Sequence, residues 1–373
     1  MDKRNVDVYA CLSMDASIRT VELNRDLIEI IKNKSDSLYL KASNTEGETV
    51  LCSSSKTYQL RNKKHSNTVL LSKSQCRVFD SSQLKKLIGF SKLTSDFECV
   101  PKTNTIDVSN LPIYHDSLTF LSNSGKGQVP TNYISLDQLI DNTPLSINEF
   151  NLLWAELGGC EINGIACLLS NEVVHKTLTL LITSIIANDL EFNNLDLMHC
   201  VDSVGNATDY PINIVRSILM KFCTNDCINS QDDKFKLDET KIARWYGMKA
   251  LELYAKKPIL IDDFLIKWKS IFPKFYSVPI SMKLLHGNFG RPYSNNFQNY
   301  NKIQFFPKNL LSNKIDERFR QLFKFQNQWA IEEFIPFVID LNKNQKLKID
   351  KFIMKYAKRK MINNNKEVVI TSK

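Results

Sequence analysis

From residue 37 to 120 the apolar positions come in short runs rather than at helical spacing. SLYLKA (37–42), ETVLCS (48–53), KTYQLR (56–61) and NTVLLS (67–72) are rich in β-forming residues, and polar turns such as Asn44–Gly47 punctuate them. Only KTYQLR alternates cleanly, so some of these strands read as covered on both faces. Three to six short strands make a poor closed sheet. An unpaired edge is a template for another chain, so this half is expected to be completed by partners.

Residues 121–130 (LSNSGKGQVP) are polar and carry Gly and Pro, and beyond them the period turns helical. SLDQLIDNTP (135–144) opens on a Ser cap and stops at proline, and NEFNLLWAELGG (148–159) ends on glycines. Further helices are expected at Val173–Asn188, Ile212–Phe222, Glu239–Ala255, Phe264–Ile271, Glu317–Gln326, Glu333–Leu341 and Lys351–Met361. The last three, with a short β segment at Trp329–Ile331 and the tail INNNKEVVITS (362–372), follow the order of a winged helix. Residues 239–300 read the same way: ETKIARWYGMKALELYA, then PILI, FLIKWKSIF, SMKLLHG and a polar wing.

The expected class is α+β: a β-barrel-type region completed by partner subunits, then a mainly helical array of tandem winged-helix domains. The segments are a β-rich assembly region 1–120, a linker 121–135, a first winged-helix-like domain 136–238, a second winged helix 239–305 and a third, basic one 306–373.

Composition supports a packed protein, with 43% apolar and 24% charged residues among 373. Glycine is scarce: 11 residues, where average usage gives roughly 25. That argues against Gly-rich nucleotide-binding folds. The segment MDKRNVDVYACLSMD has no apolar signal core. The longest apolar stretch, Leu178–Ala187, contains Thr and Ser and falls short of the ~20 residues of a membrane span. A soluble, intracellular protein without membrane contact is expected. Nine cysteines, an odd number without a compact framework, read as reduced thiols.

The charge is uneven. Residues 1–300 hold 33 basic and 33 acidic residues, whereas 301–373 hold 16 and 7, which accounts for the net +9. From Lys346 onward the balance is 9 to 2. Such asymmetry points to a polyanion. Within KIDKFIMKYAKRK (348–360), a helical advance of about 100° per residue groups Lys351, Lys355, Lys358 and Arg359 opposite Phe352, Ile353, Tyr356 and Ala357. Lys360 strays from the stripe. Lys348 precedes the helix, and Lys366 and Lys373 belong to the wing. These eight residues are the candidate DNA contacts. Lysine offers a point charge rather than a planar fork, so contact with phosphate, independent of sequence, is expected on single- or double-stranded DNA.

Catalytic signatures are missing. GKG at 125–127 lacks the spacing of a phosphate-binding loop, and HExxH, GxSxG and CxxC do not occur. Cys223 and Cys227 with His199–Cys200 make a poor metal set, because adjacent residues rarely ligate one ion together. Asp262–Asp263 reads as a helix N-cap, and Trp154, Trp245, Trp268 and Trp329 as core. No catalytic residue, metal or cofactor is expected.

KKHSNTVLL (63–71), ETKIARWYG (239–247), DDFLIKWKSIFP (262–273), DKFIMKYAKRK (350–360) and the closing VVITSK together resemble one fungal family, called "defective in sister chromatid cohesion". That resemblance implies a nuclear, non-catalytic subunit of the alternative replication factor C clamp loader. It implies a composite β-barrel with the large ATPase subunit and a small subunit, and docking on DNA polymerase epsilon. The replication factor C small subunits and PCNA would be reached indirectly. It also places His65, Ser66, Asn67, Thr68, Val69 and Leu70 in the assembly half and the MKYAKRK segment in the DNA-binding half. Two rivals stand beside it: a winged-helix scaffold that binds only protein, and a free-standing transcription regulator.

Overall fold

A computed structural model of the chain describes residues 6–10, 15–42, 49–75, 85–115, 133–205, 210–230, 232–292, 301–342, 347–362 and 367–373. The linker segment 121–130, the Asn44–Gly47 turn and Lys366 lie outside them. The protein is mixed α and β and divides into two compact units, Met1–Val173 and Val174–Lys373. Among the described residues no helix is long and apolar enough to cross a membrane.

The first unit opens with β1 (Val6–Ala10), β2 (Val21–Glu22), α1 (Arg25–Asn33), β3 (Tyr39–Ala42), β4 (Thr49–Cys52), β5 (Thr57–Gln75) and β6 (Lys85–Pro101). They form an open six-stranded sheet in the order β1-β6-β5-β4-β3, with β2 also on β6; no barrel closes among the described residues. KTYQLR and NTVLLS, expected as separate short strands, are one strand of 19 residues. Its partner β6, 17 residues long, carries so many polar positions that it lacks the signature of a strand. The two stay joined because a bulge absorbs HSNT: Lys64 pairs with Ser95 and Val69 with Leu93, leaving His65–Thr68 opposite Thr94. At the base of the sheet Leu27, Tyr58 and Cys99 form a small core.

Next come β7 (Ile113–Tyr114), α2 (Leu136–Asn142), α3 (Ile147–Leu157), β8 (Gly159–Ile162) and β9 (Ile165–Leu169). Ser135 and Gln138 close a capping box on α2, and Gly158 ends α3 in the left-handed region. Asn163 and Gly164, with φ of 53° and 76°, make the tight turn between β8 and β9. Leu139, Phe150, Trp154 and Ala166 pack with Ile106 and Leu111, so residues 136–169 share a core with the end of the β-rich region. The division at Val173 therefore falls inside the stretch 136–238.

Beyond it a helix, short strand, helix opening occurs three times, closed by a single strand in the first passage and by two strands in the others. It runs first through α4 (Asn171–Ala187), β10 (Leu195–Asp196), α5 (Leu197–Gly205), α6 (Ile212–Phe222), a short α7 (Asn225–Ile228) and β11 (Lys234–Phe235). It returns as α8 (Glu239–Tyr254), β12 (Ile259–Leu260), α9 (Ile261–Ser270), a 3-10 turn (Met282–Leu285), β13 (Phe289–Gly290) and β14 (Lys302–Phe305). The third passage is α10 (Ile315–Phe325), β15 (Gln328–Ala330), α11 (Ile331–Val338), α12 (Ile349–Tyr356), β16 (Ala357–Ile362) and β17 (Glu367–Ser372). In the second and third the sheet order is the same, β12-β14-β13 and β15-β17-β16.

Two local expectations change. The helix expected over Lys351–Met361 stops at Tyr356, and Ala357–Ile362 instead pairs residue by residue with β17. A six-residue ladder in a packed sheet outweighs the small helix preference of a Lys-Arg-Lys run. Asp262 and Asp263 do not cap α9: Leu260 occupies the cap, and both carboxylates lie in the first turn, where the helix dipole favours them.

The second and third modules lock together. Arg291 grips Glu333 through Nε at 3.1 Å and 3.2 Å and through Nη2 at 2.7 Å, while its backbone N–H donates to Gln326 Oε1 at 2.6 Å. Phe306 stacks on Phe325 with ring centroids 4.0 Å apart.

Candidate nucleic-acid and subunit interfaces

The third module's core is Phe319, Leu322, Trp329, Phe334, Phe337, Phe352, Ile353 and Ile370. Burial of Phe352 and Ile353 fixes the rotation of α12, and Lys351 and Lys355, four apart, are left on its exposed side. Lys348 is the residue before the helix and is exposed. Lys358, Arg359 and Lys360 sit on β16, not on the helix. Strand alternation puts Lys358 and Lys360 on one face and Arg359 on the other, so the four-residue helical stripe is replaced by a helix-plus-strand surface. All three are exposed. Lys373 follows β17, and its Nζ donates to the Lys355 carbonyl. The wing thus ties back to the helix end, where a cation suits the free carbonyls.

Among the described residues none of Lys348, Lys351, Lys355, Lys358, Arg359, Lys360 and Lys373 forms an ion pair. The same module pairs its inner cations closely. Arg318, 2% exposed, donates to Asp340 Oδ2 at 2.7 Å and to the Phe337 carbonyl at 3.0 Å. Burial works against ionisation of Asp340, yet hydrogen bonds from Arg318 and Lys308 outweigh it and hold the carboxyl below its ordinary range. Charge is neutralised inside the module and left open along α12 and β16.

The second surface is the edge of β5. The neighbouring strand β4 covers only Thr57–Gln59, so beyond that point this side of β5 meets no described strand. The uncovered length contains His65, Ser66, Asn67, Thr68, Val69 and Leu70. Val69 and Leu70 are 41% and 40% exposed. His65 Nε2 lies 2.6 Å from Asp96 Oδ2, and Thr20 donates to the other oxygen of that carboxylate. Hydrogen bonds from Thr20 and then His65 hold Asp96 below the usual carboxylate range and pin the bulge to β6 and to the segment before β2.

Neither surface brings reactive groups together. Among the described residues no His, Cys, Asp or Glu cluster could hold a metal ion. Burial pushes the Cys200 thiol up to about 11 and the Cys223 thiol up to about 12, away from the thiolate form. Sequence reasoning missed a third feature, the basic character of the second module: from Phe264 to Ile315 there are eight Lys or Arg and no Asp or Glu. Acids earlier in the chain cancel it in any running total.

The family model of sister chromatid cohesion protein Dcc1 matches residues 18–338, most of the chain. This chain belongs to the Dcc1 family. It is 31% identical, over 389 aligned positions, to sister chromatid cohesion protein DCC1 of Saccharomyces cerevisiae, spanning 99% of this chain and all of that one. With the probable sister chromatid cohesion protein DCC1 of Dictyostelium discoideum it shares 21% identity over 99% of this chain and 98% of that protein. The Dcc1 model ends before α12, so the basic helix and strand fall outside the matched range while the full-length likeness to the yeast protein covers them.

Proposed function

We propose that this chain is a non-catalytic subunit of an alternative replication factor C clamp loader acting in sister chromatid cohesion in the nucleus. Its three repeated modules are winged helices, and the last binds DNA through phosphate. The uncovered edge of β5 joins strands from the large ATPase subunit and the small subunit into a composite barrel. Through that assembly the chain helps dock the loader on DNA polymerase epsilon and reaches the replication factor C small subunits and PCNA indirectly.

The observation that carries the DNA reading is the run of cations from Lys348 to Lys360, exposed and without acidic partners among the described residues, in a module that neutralises its buried charge. Such cations act by releasing counterions, so log K falls with log salt by roughly 0.9 per phosphate on duplex DNA. Replacing Lys355 and Lys358 with Ala should flatten that slope by about two units on two unrelated duplexes alike. Folding should be nearly unchanged, since exposed lysines contribute little. An unchanged slope would remove phosphate contact from this surface.

A second reading has support of its own. Leu347, Met354 and Met361, interspersed with those cations, are 40%, 47% and 72% exposed. Exposed apolar side chains of that size suit a protein partner, and a scaffold without DNA contact would use them. Salt-insensitive capture of a protein by the last module, with no duplex binding, would favour it.

A further inference from the structure

Phe275 follows α9 in the second module, in the turn Pro273-Lys274-Phe275-Tyr276 that the Tyr276 N–H closes onto the Pro273 carbonyl at 3.1 Å. Its φ is +66°, in the left-handed region that glycine or asparagine normally occupies. Its side chain is 93% exposed. Both properties oppose folding: the conformation strains a bulky residue, and the ring gains nothing from burial. The turn is nevertheless held firmly. Pro273 is buried, and Tyr276 packs against Phe192 and Phe272 with ring centroids 5.5 Å and 5.9 Å away. A pinned, strained turn thus presents an aromatic ring to solvent.

The surroundings indicate what the ring meets. Lys267, Lys269, Lys274 and Lys283 are exposed, and the residues from Phe264 to Lys283 include no Asp or Glu. The nearest acids in sequence, Asp262 and Asp263, sit at the opposite end of α9; burial, and then Glu239, the acid felt in this turn, push the Tyr276 phenol up. Among the described residues Lys269, Lys274 and Lys283 form no ion pair. An exposed ring beside Lys274, in a stretch of chain that carries lysines and no acid, is the pairing that holds single-stranded nucleic acid, whose bases stack while its phosphates are neutralised.

We propose that the Phe275 turn is a base-stacking site, giving the second module a preference for single-stranded or unpaired nucleic acid separate from the duplex contacts of the last module. This deepens the DNA reading above and rests on it. Phe275→Gly removes the ring and relieves the strain, so the thermal midpoint should hold or rise. Full-length Phe275→Gly should bind a 20-nucleotide oligo(dT) roughly tenfold more weakly than wild type, while duplex affinity stays the same. Phe275→Trp should retain single-strand binding. Wild-type affinity for oligo(dT) in Phe275→Gly would overturn the proposal, as would loss of a co-purifying protein with oligonucleotide binding intact. A wild type that binds neither oligo(dT) nor duplex would overturn the parent reading; one that binds duplex but not oligo(dT) would overturn this inference alone.

Discussion

The sheet of the first unit and the modules of the second are built by different means. β5 runs for 19 residues, yet among its described side chains the buried ones, Thr57 and Tyr58, both lie at its start. The 11 residues of α6 bury six: Ile214, Val215, Ser217, Ile218, Leu219 and Phe222. A ladder hydrogen bond contributes ~0.5–1.5 kcal/mol net, whereas a buried large apolar side chain contributes ~1.5–3 kcal/mol. Ordering each residue costs ~1–2 kcal/mol of backbone entropy, so the ladder alone does not hold the long β5–β6 arm. The second unit carries large buried apolar clusters; in the arm burial is confined to one face of β6, at Gly89, Ser91 and Leu93, and to the start of β5 among the described side chains.

The largest effect expected from this contrast is on fragments. Residues 171–373 expressed alone should unfold cooperatively from a monodisperse state. Residues 1–173 keep the core that Ile106 and Leu111 share with α2 and α3, so in that fragment the β5–β6 arm alone should exchange amides rapidly unless barrel-forming partners are co-expressed. A well-protected arm in the isolated 1–173 fragment would end the comparison. At the level of single residues, Trp268→Ala should cost ~3–5 kcal/mol, because the indole is fully buried and its Nε1 donates to the Ala243 carbonyl at 3.1 Å. Leu70→Ser should change stability by less than ~0.5 kcal/mol while weakening subunit assembly. Denaturant midpoints measure both, and a costly Leu70→Ser would show that the arm has a side-chain core after all.

The same contrast governs what could be read from sequence. α6 was legible to the residue, at Ile212–Phe222, because a buried stripe imposes its period on the chain. β6 left no such imprint, since the face it buries carries Gly89 and Ser91 beside Leu93 and Cys99, and small or polar buried residues break the apolar alternation that marks a strand. The break at Tyr356 was illegible for a different reason: whether AKRKMI continues a helix or pairs with EVVITS is decided by the partner strand, which local periodicity does not contain. The candidate lysines were found by composition, but their division between α12 and β16 was not. The helix, strand, helix opening was read in the two later passages; the first was expected as a winged-helix-like domain over 136–238, whereas its opening helix α4 starts only at Asn171.

A smaller effect sharpens the picture inside the second unit. A Cβ added at Gly290 would lie 2.6 Å from Phe325 and 2.9 Å from Trp329, so the second module's sheet approaches the third module's core on bare backbone. Gly290→Ala should cost ~1–3 kcal/mol by overpacking. It should also split a single thermal transition of residues 171–373 into two. A retained single transition at the wild-type midpoint would mean that the modules adjust to the methyl group.

The mildest test is pH, where the two regions should respond in different windows. His175 lies edge-on to Tyr246 with ring centroids 5.4 Å apart, and its buried Nδ1 has no hydrogen-bond partner among the described residues. Burial, and then repulsion from Lys249, hold its proton affinity below the ordinary histidine value. His286 is lowered as well, by burial that outweighs the attraction of Glu333 and Glu332. With a depressed folded value, the unfolded chain takes up the proton first as pH falls. The contribution is complete above the ordinary histidine pKa of ~6.5 and is lost as pH drops toward the folded value. Asp96 in the β5–β6 arm is also depressed, by Thr20 and His65, but as a carboxylate its contribution is present above ~4 and fades only in stronger acid. Between pH 7.5 and 5.5 the second unit should therefore soften while the Asp96 contacts persist. His175→Gln should flatten the pH dependence of the second unit's unfolding midpoint, and a midpoint that wild type keeps constant across that interval would show that neither buried histidine resists protonation.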